Sequence, residues 1–544
     1  MSTATPAPLD LNNIQGDILA QLAQLVPLIT TTAQVQHDRR EIAASKAAAI
    51  ADKIVPPIIE LSAVNIAFSH SGLVKIGVTD DIGDVAFNRG QFADAGKLGD
   101  QGQTVDGTFQ PNWVPAFKNP VHGVILVSGS SRLVVEVTVR QIETILKFRC
   151  VDATVHEVLR VVADVRPGDQ KGHEHFGFLD GISQPAVAGF NTDPNPGQQT
   201  VRQGIILLGR EGDVPRPVWA LDGSFLVLRY FFQLVPEFNA FKDQNALKLP
   251  GLTPAEGSDL LGARLFGRWK SGAPVDLAPL KDDPALATNP KMNNDFNYAF
   301  EDNNQTQDRC PFAAHTRKTN PRADLKDTEA NRMIRRGCPF GPEVTPEEAA
   351  DKRTHLGRGL VFVAYQSNIA NGFLPVQDWS NDPTFPPSKP VTPGYDPVVG
   401  QAADPATRSI SGTNPNTQSN VLALPAQWVV AKGGEYFFSP SISTLRDTFA
   451  LVPPAHVPGR GPPGDVPWTH GPPAHGPLDG PLRTVRRSVG SVRLHTVPVR
   501  GVVRLRTVPV RGAVPLRTVP GRGMVPLRTV AVRSVMVRPK VLVG

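Results

Sequence analysis

The amino-acid sequence predicts an α+β protein, in which helices pack on one face of β-sheets. A chain of 544 residues is long enough for two or three domains and a large core. Short runs rich in β-branched and aromatic residues occur in both halves of the chain, and segments with helical spacing of apolar residues accompany them. Because both kinds of segment are mixed in each half, sheets with packed helices are favoured over an all-α or all-β fold.

Two strands and a helix are predicted early in the chain. Residues 124–127 (VILV) and 133–139 (LVVEVTV) are β-branched runs, which are typical of strands. Residues 141–146 (QIETIL) follow, and their apolar positions fit one face of a helix.

Two further strands are predicted in the C-terminal half. Residues 225–232 (FLVLRYFF) and 360–365 (LVFVAY) are nearly continuous apolar runs, as expected for buried strands. Residues 378–414 are rich in Pro, Asp and Asn, which predicts a long surface loop.

The C-terminal segment 451–544 differs from the rest of the chain in charge. It holds 15 Arg and Lys against 2 Asp, whereas residues 1–450 hold 41 basic and 48 acidic residues. Proline recurs in it and Trp468 is its single aromatic residue, which predicts disorder. A basic arm for nucleic acid or an anionic surface, and an error in the gene model, are the alternatives; the acidic body itself gives no reason to expect nucleic-acid binding. The motif Leu-(Arg/His)-Thr-Val repeats in this segment at Leu482, Leu494, Leu505, Leu516 and Leu527.

Composition also argues against several classes of protein. The sequence contains no run of about 18 apolar residues, so a membrane-spanning helix is not expected. The three cysteines (Cys150, Cys310 and Cys338) are too few and too widely spaced for a disulfide framework or a zinc motif, and we expect buried thiols. The start MSTATPAPLDLNNIQGD lacks the basic and apolar regions of a secretory signal, so the chain as written is expected in the cytosol.

The stretch 175–185 (HFGFLDGISQP) places one carboxylate, Asp180, between glycines and large apolar residues. An Asp in such a setting is most often a turn or cap residue. The functional alternative is that Gly177 and Gly181 allow close approach of a flat ligand while Phe176, Phe178 and Leu179 exclude water. A carboxyl desolvated in this way can both take and give a proton.

Two further clusters carry candidate chemistry. In residues 310–322 (CPFAAHTRKTNPR), His315 precedes Arg317, Lys318 and Arg322. One imidazole beside several cations suits haem, which needs a nitrogen for iron and positive charge for two propionates. A hydrogen-bonded core histidine beside a solvated basic face is the alternative. In residues 331–341 (NRMIRRGCPFG), the adjacent Arg335 and Arg336 lie in a segment flanked by Gly and Pro, and a surface pair is the simplest interpretation.

Together these stretches resemble the motifs of a known family. HEHFGFLDGISQP resembles the Gly-x-x-Asp-Gly signature of the dye-decolorising peroxidases, and the similarity continues in NNIQGDIL, AAHTRKTNPRADL, RRGCPFGPEV and GGEYFFSPSISTLRDTF. These motifs extend in order over most of residues 8–449 and look like the fungal branch of the family. Fungal relatives are often extracellular, which leaves localisation open.

The resemblance implies a duplicated ferredoxin-like fold with two antiparallel sheets and peripheral helices. Residues 1–200 are expected to form the first half and to carry the signature, and residues 201–450 the second, haem-binding half; residues 451–544 would be the disordered basic tail. One non-covalent haem b per chain is implied. In agreement, the sequence has no Cys-x-x-Cys-His motif for covalent attachment.

The resemblance also implies roles for individual residues. His315 is similar to the proximal iron ligand, and Asp180 to the distal acid–base residue. Arg335 looks like the distal arginine that stabilises developing negative charge, with Arg336 as the alternative. Arg322 is similar to a propionate partner, and Asp396 of GYDPVVG to a carboxylate that orients the histidine. Expected contacts of the cofactor in the signature are Gly177, Phe178, Leu179 and Gly181.

The implied activity is oxidation of dyes and of phenolic or lignin-like donors by hydrogen peroxide, favoured at acid pH, in a monomer or homodimer. Trp379 and Tyr365 are candidates for electron transfer from donors too bulky for the cavity; ordinary packing is the alternative. A haem-binding or haem-handling protein without efficient turnover is the competing function.

The chain departs from the family pattern at both ends. After Gly16–Leu19 the sequence passes almost directly into LAQLVPLITTTAQV, so the first strand of the N-terminal half is expected to be missing. A missing strand would expose a sheet edge. At the other end the family pattern stops near Phe449, whereas this chain continues to Gly544.

Overall fold

The computed structural model describes residues 24–51, 59–148, 150–151, 153–191, 193–299, 303–402, 404–450 and 527–534. Its strands, in chain order, are β1 Ser62–Phe68, β2 Gly102–Val105, β3 Thr108–Pro111, β4 Gly123–Gly129, β5 Val155–Ala163, β6 Ala186–Val187, β7 Thr200–Val201, β8 Ser224–Gln233, β9 Ile334–Arg335, β10 Cys338–Phe340, β11 Gly359–Gln366, β12 Ser409–Ser411, β13 Val421–Ala423, β14 Val429–Ser439 and β15 Leu527–Ser534.

Helices connect and cover these strands. The α-helices are Thr32–Ala51, His70–Lys75, Val85–Arg89, Gln91–Asp94, Arg132–Ile145, Val235–Gln244, Pro254–Phe266, Pro284–Thr288, His315–Thr319, Pro346–Asp351, Phe373–Asn381 and Ile442–Thr444, and the last is followed by a π-helical turn at Leu445–Phe449. None of the helices in the described ranges is long and apolar enough to cross a membrane. The predicted α+β class, with antiparallel sheets and peripheral helices, is confirmed.

The two halves of the chain contribute two groups of strands that join into one sheet. Its order is β10-β5-β15-β4-β1-β14-β8-β11-β9, and β10 also pairs with β11, so the sheet closes on itself. The groups meet at two narrow seams, where Phe68 pairs with Phe438 and Phe340 pairs with Ala163. Within each group the strands pair over many residues, as β8 and β11 do. Each half is therefore largely a sheet of its own.

The strands predicted at 124–127, 225–232 and 360–365 are present as β4, β8 and β11. The strand predicted at 133–139 is wrong, because these residues lie in the helix Arg132–Ile145. Ser131 caps this helix by accepting a hydrogen bond from the Val134 amide. The buried positions Val135, Thr138, Val139 and Ile142 have helical spacing. A cap and one buried face thus outweigh the β-propensity of the valines.

The prediction of a surface loop at 378–414 is wrong about burial. The segment is mostly irregular, but it begins inside the helix Phe373–Asn381, and the side chains of Asp396 and Arg408 are fully buried. Arg408 donates hydrogen bonds to the main-chain oxygens of Ala426 and Asp396. Polar composition indicated irregular backbone correctly, but it did not show that these polar groups are satisfied inside the protein.

One strand of the closed sheet comes from the C-terminal tail. β15 lies between β4 and β5 and is parallel to both, whereas the other pairings of this sheet are antiparallel. Disorder is therefore not found for residues 527–534; unlike most repeat units, this stretch contains no proline. The rest of 451–544 lies outside the described residues, as do residues 1–23, where part of the expected N-terminal departure falls. Of the cysteines, Cys310 and Cys338 are buried, Cys150 is exposed, and all three are free thiols.

Candidate functional site

The predicted site residues of both halves meet in one cavity. Its volume is about 250 Å³, and it opens to solvent. The walls combine aromatic and aliphatic side chains with a few charged groups, as ligand cavities generally do. The predicted residues among its walls are Phe178, Leu179, Asp180, Gly181, His315, Arg322 and Arg335.

Asp180 lies in a tight turn of the signature at the wall of the cavity. Gly177 and Gly181 have φ of 95° and 80°, values that favour glycine. The Asp180 carboxylate is exposed, and its Oδ1 accepts a hydrogen bond of 2.6 Å from the Gly181 amide. The predicted desolvation of this carboxylate is not found, because Asp180 is exposed. Phe178, itself a wall of the cavity, stacks on Phe266 with ring centroids 3.7 Å apart. Gly177 shapes the turn and is not among the cavity walls.

A second carboxylate, Glu174, was missed by the sequence analysis. It is buried at the cavity wall, and its two oxygens accept hydrogen bonds of 2.9 Å from the amides of Phe176 and Phe178. Gln233 donates a third hydrogen bond to it, of 2.5 Å. Burial raises the pKa of Glu174 to about 7, against the lowering effect of these hydrogen bonds. Its place six residues before Asp180 gave no sequence signal of this role.

His315 begins a short helix, His315–Thr319, and a carboxylate fixes the orientation of its ring. Its Nδ1 lies 2.8 Å from Oδ2 of Asp396, whose other oxygen accepts hydrogen bonds from the amides of Val398 and Val399. Burial alone would lower the pKa of His315, but the carboxylate of Asp396 outweighs it and raises the pKa. The side chain of Asp396 is completely buried, and that of His315 remains 27% exposed. Nε2 is thus the ring nitrogen left for a ligand in the cavity.

The two adjacent arginines separate by strand geometry. Arg335 belongs to β9, which pairs with β11 through Ala364, and it lines the cavity. Neighbouring residues of a strand point to opposite faces. Arg336 is accordingly absent from the cavity walls, and its amide donates a hydrogen bond to Val363. The geometry favours Arg335 over Arg336 as the arginine of this cavity.

Arg322 is one of several guanidinium groups at one side of the cavity. It donates a hydrogen bond of 2.7 Å to Oδ1 of Asn294, but its buried Nε has no partner among the described residues. Arg268 and Arg332, which the sequence analysis missed, also line the cavity, and burial lowers the pKa of each to about 10. Buried cations with an unsatisfied N–H group fit an anionic ligand.

The two aromatic candidates lie outside the cavity walls. Trp379 is half-buried and stacks on Phe385 with ring centroids 4.9 Å apart. Its main-chain oxygen accepts a hydrogen bond from Lys318, which shares the helix of His315. Tyr365 lies on β11, and burial raises its pKa to about 12. Trp379 therefore has a direct link to the histidine helix.

These residues fit a haem group. A histidine with one free ring nitrogen suits iron, the arginines suit two propionates, and the aromatic walls suit a porphyrin face. The fold and the cavity therefore define a candidate haem protein built on a closed α+β sheet.

Comparison with known proteins identifies the family. A family model described as "DyP dimeric alpha+beta barrel domain" matches residues 17–167, and one described as "Dyp-type peroxidase, C-terminal" matches residues 176–384. A dye-decolorizing peroxidase from Mycena epipterygia is 43% identical over 486 residues, covering 80% of this chain and 86% of that protein. The chain belongs to the dye-decolorizing peroxidases, a haem-dependent family, and is similar to its fungal members.

Solved structures agree with this assignment. An ancestral D-type dye-decolorizing peroxidase is 56% identical with a TM-score of 0.74, covering 82% of this chain and all of that one. A dye-decolorizing peroxidase in complex with 2,6-dimethoxyphenol is 43% identical with a TM-score of 0.69, covering 80% of this chain and 93% of that one.

Proposed function

We propose that this protein is a peroxidase that uses hydrogen peroxide to oxidise dyes and phenolic donors, with one non-covalent haem b per chain. The observation that carries the proposal is the pairing of His315 with Asp396 at a cavity that also contains Asp180 and Arg335. A protein that only binds haem needs the histidine. The additional carboxylate and guanidinium are the groups that peroxide cleavage requires.

His315 is the proposed iron ligand, through Nε2. Asp396 holds the proton of the imidazole on Nδ1, which leaves Nε2 unprotonated and fixes the plane of the ring. The propionates would be held by Arg322, with Arg268 and Arg332 beside it, since all three line the cavity and Arg268 is buried there. The positive charge of this side then offsets the two carboxylates of the cofactor.

Asp180 is the proposed acid–base residue. Its exposed carboxylate can take a proton from one oxygen of the peroxide and give it to the other, so that the second oxygen leaves as water. Arg335 stabilises the negative charge that develops as the oxygen–oxygen bond breaks. When bound, haem would hold the two oxidising equivalents that the peroxide delivers until two donors have each supplied one electron. Overall, one peroxide and two donor molecules, each losing one electron and one proton, give two waters and two donor radicals.

Phenolic donors are proposed because a relative of this chain has been solved with 2,6-dimethoxyphenol. Donors too bulky for the cavity would need an outer route for electrons. Trp379 is our candidate for that route, because Lys318 links its main chain to the helix of His315. Tyr365 is a second candidate, on β11.

The proposal is tested by purifying the protein with haem and following its visible spectrum. A Soret band shows that haem is bound, and a peroxide-dependent change followed by oxidation of 2,6-dimethoxyphenol shows turnover. Asp180→Asn is expected to retain the Soret band and to lower the rate of the peroxide reaction by about 10²- to 10⁴-fold. A haem band without any peroxide-driven oxidation would instead support the haem-binding or haem-handling alternative, and an unchanged rate in Asp180→Asn would remove the acid–base role.

A further inference from the structure

Gln184 of the signature stretch has no role in the proposed mechanism. Gln184 lies four residues after Asp180 and is half-buried at the cavity wall. Its Oε1 accepts a hydrogen bond of 3.0 Å from the amide of Arg335, and its Nε2 donates one of 3.2 Å to the main-chain oxygen of the same residue. One side chain therefore binds both polar main-chain groups of Arg335.

The position of Arg335 explains why these groups need a partner. Arg335 is in the two-residue strand β9, which forms the end of the sheet order and has β11 as its one neighbour. An edge strand leaves N–H and C=O groups unpaired on its outer side. At Arg335 the carboxamide of Gln184 takes the place of a neighbouring strand, since it presents one acceptor and one donor as a peptide group does.

A third hydrogen bond fixes the side chain of the arginine. Nη2 of Arg335 donates a bond of 2.9 Å to the main-chain oxygen of Ser183. The loop that carries Asp180 thus binds Arg335 at its main chain and at its guanidinium. Asp180 and Arg335 belong to different halves of the chain and are 155 positions apart in the sequence.

We propose that Gln184 is a positioning residue that sets Arg335 in register with Asp180 for the cleavage of peroxide. A carboxamide of this length binds both main-chain groups at once, and Nη1 of Arg336 also donates a hydrogen bond to the Arg335 oxygen. Glutamate would place a second acceptor against the Arg335 oxygen, asparagine is one methylene shorter, and methionine has the length but neither strong donor nor acceptor. The inference rests on the proposed role of Arg335 and adds that Gln184 fixes the position of this arginine.

A double-mutant cycle on the haem-loaded protein tests the inference. Gln184→Met is expected to lower the second-order rate constant for peroxide by about 10- to 100-fold, because a small misplacement of a catalytic group has effects of that size. Arg335→Ala is expected to lower it at least as much. The double variant should equal Arg335→Ala within about twofold, since a positioning residue has nothing left to position. The KM for 2,6-dimethoxyphenol should be unchanged in Gln184→Met.

Cyanide affinity, read from the Soret shift, gives a measure that does not depend on turnover. Gln184→Met should weaken cyanide binding in the same direction as Arg335→Ala, without further weakening in the double variant. The matched control is Gln203→Met, because Gln203 is also half-buried and donates to a main-chain oxygen, that of Ala188, but lies outside the cavity walls. It should change neither quantity.

Two outcomes would overturn the inference while leaving the proposed function intact. One is a normal peroxide rate in Gln184→Met together with an impaired Arg335→Ala. The other is a double variant whose loss is the product of the single losses, which would mean that the two residues act independently. A normal rate in Arg335→Ala would instead overturn the proposed role of Arg335 itself. If Gln184→Met does not fold, Gln184→Asn replaces it, with the same expectations.

Discussion

The pairing of His315 with Asp396 leads to a prediction about the variant Asp396→Asn. Asp396 uses both oxygens: Oδ1 accepts from the amides of Val398 and Val399 at 2.7 and 3.1 Å, and Oδ2 faces Nδ1 of His315 at 2.8 Å. An asparagine has one oxygen. If that oxygen keeps the two amide bonds, the new NH2 group faces Nδ1 and its proton.

The consequence is a change of tautomer. Two facing donors repel, so the imidazole proton moves from Nδ1 to Nε2, the nitrogen proposed for iron. Loss of such a carboxylate partner typically costs 10- to 100-fold in metal affinity, or about 1.4 to 2.7 kcal/mol. We expect Asp396→Asn to weaken haem binding by about this factor, measured by titrating haem into the apoprotein and following the Soret band.

Asp404→Asn serves as the control for this experiment. It makes the same chemical change eight positions further on, at an exposed residue that caps the Ala406 amide. Its haem affinity should equal that of the unmodified protein. Equal affinity in Asp396→Asn would refute the reasoning, because it would show that the carboxylate does not determine which nitrogen is free.

Two further predictions concern stability. Because burial raises the pKa of Glu174 from 4.5 to about 7, the folded state binds a proton there more tightly than the unfolded state, so its contribution to stability is complete below about pH 4.5 and is lost as pH rises to about 7. The free energy of unfolding, measured with urea at several pH values, should fall over this interval by about 3 kcal/mol less in Glu174→Gln than in the unmodified protein. The same dependence on pH in both proteins would contradict the assignment. Because β15 fills the sheet between β4 and β5, Ala531→Pro should lower the thermal midpoint by a few degrees or more, since proline cannot donate within a central strand. Removal of residues 451–544 should do the same, and an unchanged midpoint in both variants would show that this strand adds nothing to the fold.

The residues of the site differ in how well they could be predicted from the sequence. Asp180 and His315 were identified from their motifs, and both line the cavity. The preference for Arg335 over Arg336 rested on the family motif alone, because adjacent positions differ only in the face of the strand to which they point. Glu174 and Gln184 carried no recognisable spacing, since their importance comes from main-chain groups that the turn and the strand edge bring to them.

The α+β class, the buried strands β8 and β11, and the family of the chain could be predicted from the sequence alone, because apolar runs and long ordered motifs are local properties of the chain. Tertiary structure accounts for the remaining features. It made residues 133–139 helical by burying one face, and it buried Asp396 behind His315 in a segment whose composition had indicated a surface loop. It also placed a strand of the basic tail inside the sheet. Each of these outcomes depends on which groups become partners across long separations in sequence, and that information is present only once the chain has folded.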